Sequence, residues 1–280
     1  MKVGDAVLAD GLLTGPRSKG AHQQWGGFET YAVAPSNALH PLPKGFSFDE
    51  ACSFFGNYET AYHCLVTCGG LQKGERVLVN GASGASGLAA VHLAKLLGAT
   101  VIATGRSKEK LDIVKSNGAD HVVRTVDDKG EPRSFKDDVK ALTDGRGVDV
   151  VYDAVGGATS IESLRCVEFG ARFLIVGWAS TPDVARGRGQ RGAPNANVLP
   201  TNLILMKGLK VIGCPMAIST HRDPSIRIER VARLLAWAES GALRPLVSAV
   251  FPIANVKEAM KAKWTSRHVG GIVLHPQDSS

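Results

Sequence analysis

Arg76-Val77-Leu78-Val79-Asn80-Gly81-Ala82-Ser83-Gly84-Ala85-Ser86-Gly87 is the stretch on which the fold turns. Its first five residues form a short apolar run, the pattern of a parallel strand covered on both faces. A turn of tiny residues follows. Leu88, Val91 and Leu96, with alanines between them, then lay out one helical face that closes at Gly98. Ala82, Gly84 and Gly87 fill the places of a G-x-G-x-x-G pattern, with alanine in the first. Ala82 permits the tight turn, Gly84 lets a pyrophosphate approach the backbone, and Gly87 lets the helix lie close on the strand. The helix start adds unbonded N–H groups and the positive end of its dipole. A bare glycine turn is the alternative, but the position between strand and helix favours dinucleotide binding.

Working outward, Thr100 to Thr104 is the next strand, and its end selects the dinucleotide. An acid there would bond a ribose 2′-hydroxyl. The chain instead reads Gly105-Arg106-Ser107-Lys108, with Lys110 beyond and Glu109 set inside the next helix. Arg106 suits a 2′-phosphate through its planar fork of donors. The other reading makes Arg106 and Lys110 solvated residues of a helix start. Further strands are expected at His121–Val123, Val148–Tyr152, Arg172–Val176 and Leu209–Gly213. With helices between most of them, they predict a doubly wound parallel α/β sheet. Asp153-Ala154-Val155-Gly156-Gly157 and Gly177-Trp178-Ala179-Ser180 follow two of these strands. Ligands of such sheets lie at those strand ends, and glycine there would let a flat ring lie against the backbone.

The ends of the chain read differently. Short strands are expected at Ala6–Ala9 and Phe28–Val33, and Ser47 with Glu50 forms a capping box that starts a helix. Ile226 to Ser240 is a helix stopped by Gly241. Strands at Val247–Phe251 and Gly271–Leu274 flank a helix near Val256–Lys263. Residues 1–48 and 248–280 are therefore expected to form a second lobe, with 49–247 as the nucleotide-binding domain. Residues 181–201, with Arg186, Arg188 and Arg191 among glycines and prolines, read as a mobile surface loop.

Composition excludes several classes. The net charge is +7, yet no Lys/Arg tract interleaves with aromatics, so nucleic acid is not the expected partner. Five cysteines at irregular spacing argue for buried thiols in a reducing, cytoplasmic compartment and against a disulfide framework. No segment reads as membrane-spanning, and the start lacks a signal-peptide core.

The motifs Lys2-Val3-Gly4-Asp5, Gly26 to Tyr31, Thr60-Ala61-Tyr62, Ala82 to Gly87, Asp153 to Gly157 and Val269 to Leu274 occur in an order that resembles the medium-chain dehydrogenase/reductase superfamily. Within it the chain is most similar to the zinc-free, zeta-crystallin-type NADPH:quinone oxidoreductases. That resemblance implies a Rossmann lobe, a GroES-like β lobe, NADPH in the cleft between them, and a homodimer joined through the last Rossmann strand, around Lys210 to Gly213. Mapped onto this sequence, it implies cofactor contacts from Asn57, Thr60, Ser83, Gly84, Ala85, Ser86, Arg106, Lys110, Val155, Gly156, Gly177, Trp178 and Met216. Family members have several strands ahead of the Lys-Val-Gly-Asp turn, at which this chain starts, so an incomplete β lobe is expected. The four-cysteine spacing and the Gly-His-Glu triplet of zinc-dependent relatives are absent from this sequence, and no metal is expected.

The activity so implied is reduction of quinones or enones by hydride transfer from NADPH. Tyr58, Tyr62 and His63 are candidates by position for the proton that must follow, with water as the alternative. A short-chain dehydrogenase would need Tyr-x-x-x-Lys, and none of the four tyrosines has lysine four residues on. An alkenal or enoyl-thioester reductase, or a non-catalytic NADPH-binding protein with a structural or RNA-binding role, stays open at this point.

Overall fold

The computed structural model describes residues 1–18, 20–180 and 197–276. They fall into two compact units, Met1–Thr60 with Gly84–Ser86 and Met216–Ser280, and Ala61–Ser83 with Gly87–Pro215.

The second unit is built on β3 (Arg76–Asn80), β4 (Thr100–Gly105), β5 (His121–Arg124), β6 (Val148–Asp153), β7 (Val167–Ile175) and β8 (Lys210–Gly213). They form one sheet in the order β5-β4-β3-β6-β7-β8, every neighbour parallel. The direction of winding reverses between β3 and β6, which opens a crevice at the carboxyl ends of those strands. Val77, Leu78 and Val79 are wholly buried, as expected of a strand covered on both faces. Leu78, Ile102, Val151 and Phe173 join Val139 and Leu164 in the core. The covering helices include α3 (Ala85–Leu96), α4 (Lys108–Ser116), α5 (Lys136–Ala141), α6 (Gly157–Ser163) and α7 (Thr201–Met206). β7 is longer than expected, because Val167 also pairs with Val148 of β6, across a register shift from the Arg172–Ile175 ladder. His63–Cys68 is a π-helix, a feature with no periodicity signal of its own.

The first unit holds β1 (Val7–Ala9) antiparallel to β2 (Leu39–Pro41), and β9 (Val247–Pro252) parallel to β10 (Gly271–His275). Its helices are α1 (Phe48–Cys52), α2 (Phe55–Tyr62, running on past Thr60), α8 (Met216–Arg222), α9 (Ile226–Glu239) and α10 (Val256–Trp264). The capping box forms as read: Ser47 Oγ accepts from the Glu50 N–H at 3.2 Å, and Glu50 accepts from the Ser47 N–H at 2.7 Å. α2 and α9 are tied by buried ions. Arg227 donates to Glu59 at 2.7 Å and to Asp10, and Arg230, with no exposed surface, donates to Glu59 at 3.1 Å and to Thr220 at 2.7 Å.

One expectation is corrected here. Phe28–Val33 is not a strand: residues 28–31 are bends, and Phe28 and Tyr31 are exposed. Alternation alone makes no strand without a partner ladder; the Val33 carbonyl accepts a hydrogen bond from Thr14 Oγ1 at 3.1 Å. In the division into compact units, α1, α8, α9 and most of α2 group with the chain ends, and the Asp10, Glu59, Arg227 and Arg230 ion network ties α2 to α9 there. Of the loop expected over 181–201, residues 181–196 lie outside the described residues, and Thr201 already opens α7.

Candidate functional site

The glycine turn sits at the carboxyl end of β3 and opens α3. Gly81 takes a φ of +71°, which suits glycine. A Cβ on Gly87 would lie 2.3 Å from the Gly81 carbonyl oxygen and 2.9 Å from the Ala82 Cα. Only glycine lets α3 start this close to β3, the role read for it in the sequence. The first turn of α3 carries no acidic side chain, so its positive end is left for another anion. Ser83, Ala85 and Ser86 are partly buried and Gly84 is exposed. Gly84 forms a parallel bridge with Gly270.

One strand away, β4 ends at Gly105 and Arg106 projects into solvent. Among the described residues the Arg106 guanidinium has no carboxylate partner. Burial first, and then the Arg106 charge, hold the Lys110 ammonium below its ordinary value. The Arg106 charge thus acts on Lys110, against a weaker opposing pull from the Glu109 carboxylate. Ser107 caps α4: its Oγ accepts from the Lys110 N–H at 3.3 Å and donates to Glu109 at 2.6 Å. The nearest acid is therefore engaged with the cap.

The third part is a buried polar network joining the ends of β4, β3 and β6. Thr104 donates to Asn80 Oδ1 at 2.9 Å, and Asn80 Nδ2 donates to Asp153 Oδ1 at 3.2 Å and to Ser163 at 2.9 Å. Asp153 Oδ1 also accepts from the N–H groups of Val155 at 3.0 Å and Gly156 at 3.2 Å, and Ser160 donates to Oδ2. Asp153 is wholly buried, and these bonds replace its lost water. The carboxylate is the post from which the Val155–Gly156 loop hangs. A Cβ on Gly81 would meet Val155 Cγ2 at 2.9 Å, so this loop leans on the glycine turn. Gly177 closes the same edge through its N–H to the Asp153 carbonyl at 3.2 Å, while Trp178 is exposed. The sequence reading singled out Val155, Gly156, Gly177 and Trp178. It passed over Asn80, Thr104, Ser160 and Ser163, whose only signal was polarity at strand ends and inside a helix.

The remaining candidates are placed as follows. Asn57 Nδ2 donates to the Ser53 carbonyl at 2.8 Å, and Thr60 Oγ1 donates to the Gly56 carbonyl at 2.7 Å. Met216 is buried at the start of α8, with the Thr220 hydroxyl 4.0 Å from its sulfur. Tyr58, Tyr62 and His63 are all buried. Burial, and secondly the Glu50 charge, push the Tyr58 phenol well above its ordinary value. His63 Nε2 lies 3.5 Å from Cys68 Sγ. Cys64, Cys166 and Cys214 are buried free thiols, while Cys52 is exposed.

Against known proteins, a family described as zinc-binding dehydrogenase matches residues 85–234. A curated relative from Nematostella vectensis, a quinone oxidoreductase-like protein 2 homolog, is 34% identical over 277 residues, covering 98% of this chain and 70% of the relative. The quinone oxidoreductase of Thermus thermophilus, solved also as its NADPH complex, superposes with a TM-score of 0.68 at 30% identity, covering 88% of this chain and 72% of that one. The apo enoyl reductase JamJ superposes at 0.69 with 26% identity, covering 88% and 68%. Polyketide synthases also match, and the chain spans only 9–12% of their length. The family name implies zinc, but among the described residues no three His, Cys, Asp or Glu side chains converge to hold a metal. Nor is any described helix long and apolar enough to cross a membrane. The Rossmann sheet, its glycine turn and these matches together establish that the chain belongs to the zinc-binding dehydrogenase family of medium-chain dehydrogenase/reductase oxidoreductases.

Proposed function

We propose that this chain binds NADPH and reduces quinones. The observation that carries the reading is Arg106, exposed just past the end of β4 with Lys110 in the first turn of α4, one strand from a glycine turn whose helix start carries no acidic side chain. The turn from Ser83 to Ser86 cradles the pyrophosphate, and the two cations hold the 2′-phosphate. Val155, Gly156, Gly177 and Trp178 line the far half of the cofactor. Bound NADPH supplies the hydride, and the protein contributes position and exclusion of water. Zinc has no step in this scheme. The proton that the reduced quinone takes up comes from water, with Tyr58, Tyr62 and His63, all buried, as the side-chain alternatives.

The quinone assignment follows the relatives' names and rests on resemblance. JamJ supports a second reading, reduction of an enoyl double bond, on the same cofactor site. The two are separated by steady-state oxidation of NADPH with a panel of quinones and of α,β-unsaturated carbonyl compounds. Turnover with quinones at least tenfold more efficient than with enones supports the first reading; the reverse order supports the second.

The proposal includes a homodimer through β8. Among the described residues that strand pairs with β7 alone, and Phe169 of β7 and Leu205 and Met206 of the preceding α7 are 75%, 81% and 75% exposed. Light scattering at twice the monomer mass of 29.5 kDa is the expected result. The free thiols fit a cytoplasmic setting.

A further inference from the structure

Asn197 lies where the candidate site has an unexplained donor. Its Oδ1 accepts from the Gly157 N–H at 3.1 Å. Only oxygen can accept there, so the bond fixes which way the carboxamide faces. Its Nδ2 is buried, and among the described residues no acceptor lies within hydrogen-bond reach of it. A buried donor left unmade is costly, and such an atom calls for a partner.

The surroundings say what kind of partner. Gly156 and Gly157 have φ values of +79° and +61°. A Cβ on Gly156 would lie 3.1 Å from the Trp178 Cα and 3.6 Å from the Asn197 Cγ. The carboxamide therefore rests on the loop that Asp153 suspends, beyond the carboxyl ends of β6 and β7. Ligands of doubly wound sheets occupy that position. One fixed donor over two glycines suits a neutral acceptor oxygen on a flat or furanose group.

We infer that Asn197 is a cofactor-binding residue: its Nδ2 donates to an oxygen of the nicotinamide half of NADPH, either the ring carboxamide or a hydroxyl of the adjoining ribose. The inference rests on the NADPH reading above. It explains why the chain places a side-chain amide here.

Asn197→Asp is the discriminating variant. It keeps an acceptor for Gly157 and turns the unpaired donor into an acceptor. Titrate wild type and variant with NADPH and with adenosine 2′,5′-bisphosphate, which lacks the nicotinamide half. The expected result is NADPH binding weakened at least tenfold, with the bisphosphate unchanged within twofold. Asn197→Ala provides the same comparison should the aspartate variant fold poorly. NADPH affinity within twofold of wild type overturns the inference, as does equal weakening of both ligands. If wild type itself binds neither ligand, the underlying NADPH reading fails instead.

Discussion

Replacing Gly87 by alanine adds a single methyl group at the point where helix and strand meet. The new Cβ would stand 2.3 Å from the Gly81 carbonyl oxygen and 2.9 Å from the Ala82 Cα. Both obstacles are backbone, so no side chain can swing away. Restoring a contact of about 3 Å forces the start of α3 to move by roughly 0.7 Å. Overpacking of this kind costs about 1–3 kcal/mol. At about 2–4 °C per kcal/mol for a chain this long, the melting temperature should fall by about 2–12 °C. Binding should suffer further. The same shift would lengthen an N–H···O bond of the usual length, about 2.9 Å, to a bound pyrophosphate oxygen to about 3.6 Å, beyond useful reach. One charge-assisted bond is worth about 1.5–3 kcal/mol, so NADPH affinity should drop by roughly 10- to 150-fold. Gly56→Ala is the control, because a Cβ at that position of α2 meets nothing within 4 Å. It should leave binding alone and stabilise the helix by about 0.5–1 kcal/mol. Differential scanning calorimetry and isothermal titration of the two variants give both numbers. A Gly87→Ala protein that melts and binds NADPH as wild type does would refute the close-packing argument.

Three other outcomes are expected. Arg106→Ala should weaken NADPH at least tenfold while leaving NADH within about threefold, measured by quenching or enhancement of nicotinamide fluorescence; equal loss for both would remove the 2′-phosphate role. Glu59→Gln withdraws a carboxylate that is 1% exposed from two arginines, and should cost about 3–5 kcal/mol in urea unfolding; a loss under 1 kcal/mol would mean the network is incidental. Burial would raise the Asp149 carboxyl, but the Arg76 hydrogen bonds outweigh it and hold the group below its ordinary value. A depressed carboxyl stabilises the fold above its unfolded value of about 3.9 and loses that contribution as pH falls through the lower folded value. Arg76→Met should therefore lower stability by about 1–3 kcal/mol at pH 7, with the deficit shrinking below about pH 4; a deficit constant with pH would contradict the linkage.

What the sequence made legible follows from how locally each feature is encoded. β3, the glycine turn and α3 lie in one continuous stretch, and each residue's task there is set by its immediate neighbours. The Ser47 capping box is equally local, and it forms as read. Phe28–Val33 shows the opposite case: its alternation suits a strand, but a strand exists only in a ladder with residues far along the chain. Asp10, Glu59, Arg227 and Arg230 were silent in the sequence for the same reason. Their pairing spans most of the chain and carries no periodic signal, yet it ties α9 to α2 and to Asp10. Within the candidate site, Arg106 was legible because strand ends have a known relation to the ribose. Asn80, Thr104 and Asn197 were not, since a lone amide or hydroxyl gains meaning only from the atoms around it.

The central claim, that NADPH lies across the glycine turn, is tested most directly by crystals grown with the nucleotide. Density for the pyrophosphate at the first turn of α3, with the 2′-phosphate against Arg106 and Lys110, is the expected result. A nucleotide bound elsewhere, or crystals that remain free of it at saturating NADPH, would contradict the claim.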